Sequence, residues 1–147
     1  MGFKKNDING ISAIIGLIIL LSQSLHAQGV LRIEVVNVRN LEGNILIGLF
    51  DDEKNFLKNA FRSEIVQASA NKVLVLIKDL PPGDYALSVV HDENKNEKLD
   101  TNFLGIPKEG FGFGNNAMGN FGPPSFDKAM IRWQAKDMDV SVRLRYY

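Results

Sequence analysis

The hydrophobic positions of this chain recur with period two over most of its length. Leu31, Ile33 and Val35 alternate with Arg32 and Glu34, the pattern of a strand with one buried face. The alternation slips at Val35-Val36 before Val38, which predicts a bulge. Leu41-Glu42-Gly43-Asn44 reads as a short hairpin turn, and Ile45, Ile47 and Leu49 alternate on the strand that returns from it. Asp51-Asp52-Glu53 ahead of Phe56 and Leu57 predicts one helical turn capped by an aspartate. A third strand is expected over Ser63–Ala68. Val73–Ile77 is apolar at every position, the pattern of a central strand buried on both faces. After the rigid turn Leu80-Pro81-Pro82-Gly83-Asp84, Tyr85, Leu87 and Val89 share a strand face. Trp133 lies on a strand and is expected in the core. Met138, Val140, Val142, Leu144 and Tyr146 then alternate with polar residues, the clearest strand of the chain. Many short strands, regular turns and almost no helix predict an all-β fold: an antiparallel β-sandwich of about seven to eight strands, prealbumin- or immunoglobulin-like.

The N-terminus follows a different pattern. Lys4 and Lys5 precede the apolar stretch Ile11–Leu21, and Leu25-His26-Ala27 ends in a small residue. That order predicts a secretory signal peptide over residues 1–27, cleaved after Ala27. Eleven residues fall short of the ~20 that a membrane-spanning helix needs. The expected mature protein is therefore residues 28–147, one domain, not membrane-spanning once processed, and periplasmic or secreted.

Composition narrows the chemistry. The chain has 17 basic and 17 acidic residues; without Lys4, Lys5 and Asp7 the mature part has 15 against 16, a formal net of −1. No basic excess marks a nucleic-acid face, so no nucleic-acid partner is expected. Cysteine is absent and His91 is the one histidine beyond residue 27, which excludes a Cys/His zinc site within one chain and a cysteine nucleophile. His91 itself reads as a hydrogen-bonded residue at a strand end rather than a base. No catalytic motif is present, so an enzyme is not expected. The remaining enzymatic route is carboxylate chemistry, with Asp51, Asp52, Asp92, Asp100 and Glu109 as candidates for a hydrolase acting on cell-envelope glycan.

Between Asp92 and Asp127 the strand pattern stops and a segment rich in Gly, Asn, Pro and Phe intervenes. Loops of more than ~12–15 residues without their own elements are uncommon in compact domains, and they concentrate function. Phe103, Leu104, Ile106, Phe111, Phe113, Phe121 and Phe126 within it predict an ordered, packed excursion rather than a disordered one. Within it, Asp92, Asn94, Asn96 and Asp100, with the carbonyl of Lys98, place oxygens at alternate positions, as a Ca2+ loop does. The match to an EF-hand is partial: the sixth position is Glu97 instead of glycine and the twelfth is Phe103 instead of glutamate, so any site is expected to be weak. The competing reading is an Asx-rich turn whose side chains bond their own backbone. Phe111, Phe113 and Phe121, flanked by glycines, are the aromatic residues expected to be exposed as a contact loop; packing against the sandwich is the alternative for the aromatics as a group.

The run from His91 to Phe113, the block Gly122-Pro123-Pro124-Ser125-Phe126 and the turn Leu80–Tyr85 resemble a bacterial exported family catalogued as domain of unknown function 2141. The resemblance covers essentially the whole mature chain and implies a periplasmic or secreted sandwich of seven or eight strands, with no assigned activity. Members of that family often carry glycine where this chain has Glu97. Function therefore reads as an exported non-enzymatic binding or accessory module, its partner an unidentified ligand or envelope protein, with Ca2+ as the one candidate cofactor. The hydrolase and a purely structural envelope protein are the alternatives.

Overall fold

The computed structural model describes residues 29–69 and 71–147, so the signal peptide expected over 1–27 lies outside the described residues. The chain runs β1 (Leu31–Val38), β2 (Asn44–Phe50), β3 (Arg62–Gln67), β4 (Asn71–Ile77), β5 (Gly83–Asp92), β6 (Gly110–Phe113), the short helix α1 (Phe126–Ala129), β7 (Met130–Trp133) and β8 (Met138–Arg143). The expected aspartate-capped turn is a 3-10 turn over Glu53–Asn55, where Asp52 accepts from the Lys54 amide. Among the described residues no helix is long and apolar enough to cross a membrane.

The strands form two sheets. One has the order β4-β1-β8, with β1–β4 antiparallel and β1–β8 parallel. The other has the order β3-β2-β5-β6, and β7 also pairs with β5. Both β6, along Ser88–His91, and β7, along Gly83–Ala86, sit on the edge of β5 that β2 does not occupy. Alternation directs Leu31, Ile33 and Val35 inward against Leu49, Leu87 and Val89, and Trp133 closes the core with 1% of its surface exposed. Two hydrogen bonds tie the proline turn to this core: Trp133 Nε1 donates to the Leu80 carbonyl at 2.8 Å and the Tyr85 hydroxyl donates to Pro81 at 2.9 Å. The expected bulge lies at Asn37 (φ 66°), where the β1–β4 register shifts.

Two expectations about strand placement are corrected. Leu41–Asn44 is not a hairpin turn, because β1 and β2 lie in different sheets and the turn carries the chain from one layer to the other. Gly43 does take the positive φ (72°), and a Cβ there would stand 1.9 Å from the Asp92 carbonyl oxygen. β4 is not a central strand but an edge of the three-stranded sheet, with Leu74 and Leu76 exposed. Its apolar outer face has no covering layer among the described residues.

The last strand joins the two sheets. Beyond β8, Arg145 exchanges both backbone hydrogen bonds with Phe111 of β6, at 3.0 and 2.8 Å. A strand that changes sheet closes a corner of a sandwich, so the molecule is closed on the β8–β6 side and open between the β3 and β4 edges.

Candidate functional site

The 92–127 excursion lays a second apolar cluster on the outer face of the five-stranded sheet. Phe50, Ala86, Phe111 and Phe113 point away from the sandwich core, and Phe126 and Ala129 close over them, with Phe56, Leu99, Met118 and Met130 at the margin. The rings meet edge to face, Phe50–Phe56 at 5.4 Å and Phe111–Phe113 at 6.0 Å between centroids. The expectation that Phe111 and Phe113 are exposed is therefore corrected: they retain 7% and 6% exposure. Their neighbours Gly110 and Gly112 face the other way, toward Tyr146 and Val142, where a side chain would collide. The glycines admit the crossing strand and do not leave the aromatics bare. Phe121 is fully exposed, as expected.

The excursion is anchored at its root by buried acids. Asp92, with no exposed surface, accepts from the Asn96 amide at 3.1 Å and the Glu97 amide at 2.8 Å, one oxygen each. Glu109, 4% exposed, accepts from the Glu93 amide at 3.0 Å and the Asp100 amide at 2.9 Å in the same way. Carboxylates held by backbone N–H groups form charge-assisted hydrogen bonds stronger than neutral ones, and these two carboxylates tie both ends of the loop together. Neither offers a free oxygen to a cleft. The Asp100 carboxylate in turn accepts from Asn94 Nδ2 at 2.6 Å and Asn96 Nδ2 at 3.0 Å. Asn94 Oδ1 takes the Asn96 amide and Asn96 Oδ1 the Lys98 amide. Asp92, Asn94, Asn96, Lys98 and Asp100 are thus brought together, and the bonds among them are those of an Asx-rich turn. Among the described residues no group of three His, Cys, Asp or Glu side chains is placed to hold a metal ion, so a cation here relies on asparagine oxygens.

Lys95 and Glu97 both take the left-handed conformation, φ 63° and 60°. Residues with a Cβ are disfavoured there by roughly 1–2 kcal/mol, against a Gly entropy cost of about 0.5–1 kcal/mol. Glu97→Gly is therefore expected to raise the stability measured by urea unfolding by about 0.5–1 kcal/mol, because the Asp92 bond uses the backbone amide that glycine keeps.

His91, on the inner face of the same strand end, is fully buried. Its Nε2 stands 2.8 Å from the Glu42 carbonyl, which only accepts, so Nε2 carries a hydrogen and Nδ1 accepts from the Tyr146 hydroxyl at 2.8 Å. Burial pushes the Tyr146 phenol up. The Arg39 guanidinium lies 4.5 Å over the Tyr146 ring and pairs with Glu93, holding that carboxyl below the usual carboxylate range. This knot fastens the β1–β2 turn, the root of the excursion and the C-terminal strand to one another. His91 is a structural member of it.

Beyond the root, the chain makes a tight hairpin with a bridge between Thr101 and Pro107. Asn102 Oδ1 accepts from the Leu104 and Ile106 amides at 2.9 and 3.0 Å, and the Asn102 amide donates to the Ile106 carbonyl at 2.9 Å. The braced tip holds Phe103 at 95% and Leu104 at 68% exposure. Asn115 and Asn116, consecutive residues at positive φ, pin the far end. Asn115 Nδ2 donates to the Met130 carbonyl at 2.7 Å; Asn116 Oδ1 accepts from the Arg143 amide at 2.8 Å and its Nδ2 donates to the Ser141 carbonyl. The doublet carries a sequence signal of its own, since asparagine is the side-chain-bearing residue most tolerant of that conformation. Phe103 has no flanking glycine pattern to mark it, and its exposure follows from the hairpin alone.

Of the other hydrolase candidates, Asp51 and Asp52 lie at the far end of β2 from the Asp92 root, and Asp52 is engaged as the cap of the 3-10 turn.

No curated protein and no solved structure matches the chain. Residues 33–141 match the family described as "Uncharacterized protein conserved in bacteria (DUF2141)", which spans the sandwich from β1 into β8 together with the anchored excursion, and the chain belongs to that family.

Proposed function

We propose that the protein is an exported, non-enzymatic binding or accessory module whose contact surface is the 92–122 excursion, with a weak Ca2+ site in the 92–100 loop. The observation that carries this reading is the pair of fully solvent-facing phenylalanines, Phe103 and Phe121, on a segment whose root is anchored by the buried Asp92 and Glu109. A large apolar side chain held out on a braced hairpin, as Phe103 is, favours a partner surface, because little ordering entropy is lost on contact. The non-enzymatic part is supported by the commitment of Asp92 and Glu109 to backbone amides, and export by the leader-like sequence of residues 1–27.

Photo-crosslinking in the native bacterium tests the surface, with a benzophenone analogue of phenylalanine placed at Phe103, at Phe121 and, as control, at the exposed Leu41. A discrete adduct from the first two positions and none from the control is the expected result; identical patterns from all three would remove the excursion as the contact surface. The cation is tested by thermal unfolding with millimolar Ca2+ and with Mg2+, since a ligand bound only by the native state raises the midpoint. A Ca2+-specific rise that Asp100→Asn abolishes is expected. Without such a rise the 92–100 loop is an Asx turn alone.

A further inference from the structure

The guanidinium groups of the described residues divide into two kinds. Arg32 pairs with Asp137 and Asp139, Arg39 with Glu93, Arg62 with Glu64, and Arg132 with Asp84. Arg143 and Arg145 have no side-chain hydrogen bond or ion pair among the described residues. Both line one cleft of about 280 Å3 together with Phe113, Asn116, Ala117 and Met118, and no acidic side chain lines it.

The cleft is built by features with structural reasons of their own. Strand alternation sends Val142 and Leu144 into the core, so Arg143 and Arg145 project from the opposite face, about 7 Å apart along the strand. Gly112 lets β6 approach this strand, since a Cβ there would stand 2.7 Å from Val142 Cγ1. The Phe111–Arg145 exchange of backbone bonds fixes one wall, and the Asn116 side chain, bonded to the backbone of Ser141 and Arg143, fixes the other. Between them lie the methyl of Ala117 and the thioether of Met118, both half-buried. Two unpaired cations thus sit beside an apolar floor in a concavity near the lower end of small-molecule site volumes.

We propose that this cleft binds a small amphipathic acid: one oxyanion head, carboxylate or phosphate, gripped by Arg143 and Arg145, and a short apolar body laid on Ala117 and Met118. The guanidinium fork matches both heads in bidentate fashion. The volume excludes a long chain or a polymer strand from full enclosure. One wall of the cleft, Gly112 to Met118, belongs to the 92–122 excursion, but Phe103 and Phe121 do not line it, so binding in the cleft and contact at those two phenylalanines are tested separately.

Isothermal titration of the full protein with phenyl phosphate and phenylacetate tests the site, with inorganic phosphate as the head alone and benzyl alcohol as the body alone. Saturable binding of at least one aromatic acid, tighter than either fragment and weakened by added salt, is expected. Arg143→Gln/Arg145→Gln should weaken it by about tenfold or more, while Arg32→Gln and Leu41→Ser leave it unchanged; urea midpoints of the variants confirm that they fold. Absence of binding by both acids overturns the proposal, as does affinity untouched in the double variant. Inorganic phosphate binding as tightly as phenyl phosphate would overturn the assigned ligand class.

Discussion

Phe113→Ala is expected to lower the unfolding free energy by about 3–4 kcal/mol, while Phe121→Ala changes it by less than about 0.5 kcal/mol. The two residues belong to the same glycine-rich segment, and sequence neighbourhood does not separate them. Phe113 is 6% exposed on the outer face of the five-stranded sheet, with the Phe111 ring at 6.0 Å and the Phe56 ring at 6.4 Å. Truncating it opens a cavity under α1 that the surrounding rings cannot fill by collapse, because Phe56 is already fixed edge-on to Phe50 and Phe126. Phe121 touches solvent on all sides. Urea denaturation of the two variants, read as a shift of midpoint at constant slope, separates a second core from a decorative loop.

Asp92→Ala is expected to cost about 3 kcal/mol. The side chain is wholly buried, and each oxygen takes one backbone amide of the following turn. Hydrogen bonds to a charged group contribute about 1.5–3 kcal/mol each, and alanine leaves both amides to water or to nothing. Asp92→Asn keeps one acceptor oxygen and turns an N–H toward a donor, so an intermediate loss is expected. The same change should not disturb the His91 knot, since His91 faces the opposite side of β5 and is held by Tyr146 and Glu42.

The inner sandwich was largely legible in the sequence. Leu31, Ile33, Val35 and the Met138–Tyr146 series report their buried face directly through alternation, and Trp133 is core. Sheet membership was not legible, because it depends on pairing between distant segments. The turn Leu41–Asn44 has hairpin chemistry, yet β1 pairs with β4 and β8 instead of β2. Leu74 and Leu76 make β4 look doubly buried, and only its position as an edge shows that they are not. Gly110-Phe111-Gly112-Phe113 held a readable signal that composition obscured: it alternates with period two, small residues toward the crossing strand and large ones toward a second cluster. The acid-and-amide character of 92–100 was visible. That Glu109, seventeen residues after Asp92, completes its anchoring required the fold.

Amide hydrogen exchange across residues 92–126 tests most directly the claim that this excursion is a built, anchored layer able to present a fixed contact surface. Slow exchange is expected at Asn96, Glu97 and Asp100, whose amides are held by Asp92 and Glu109, and at Phe111, held by Arg145, with rates approaching those of β5. The exposed turn around Phe121 should exchange quickly. Uniformly fast exchange from Glu93 to Phe126, at the rate of an unstructured peptide, would contradict the claim and reduce the excursion to a loose loop.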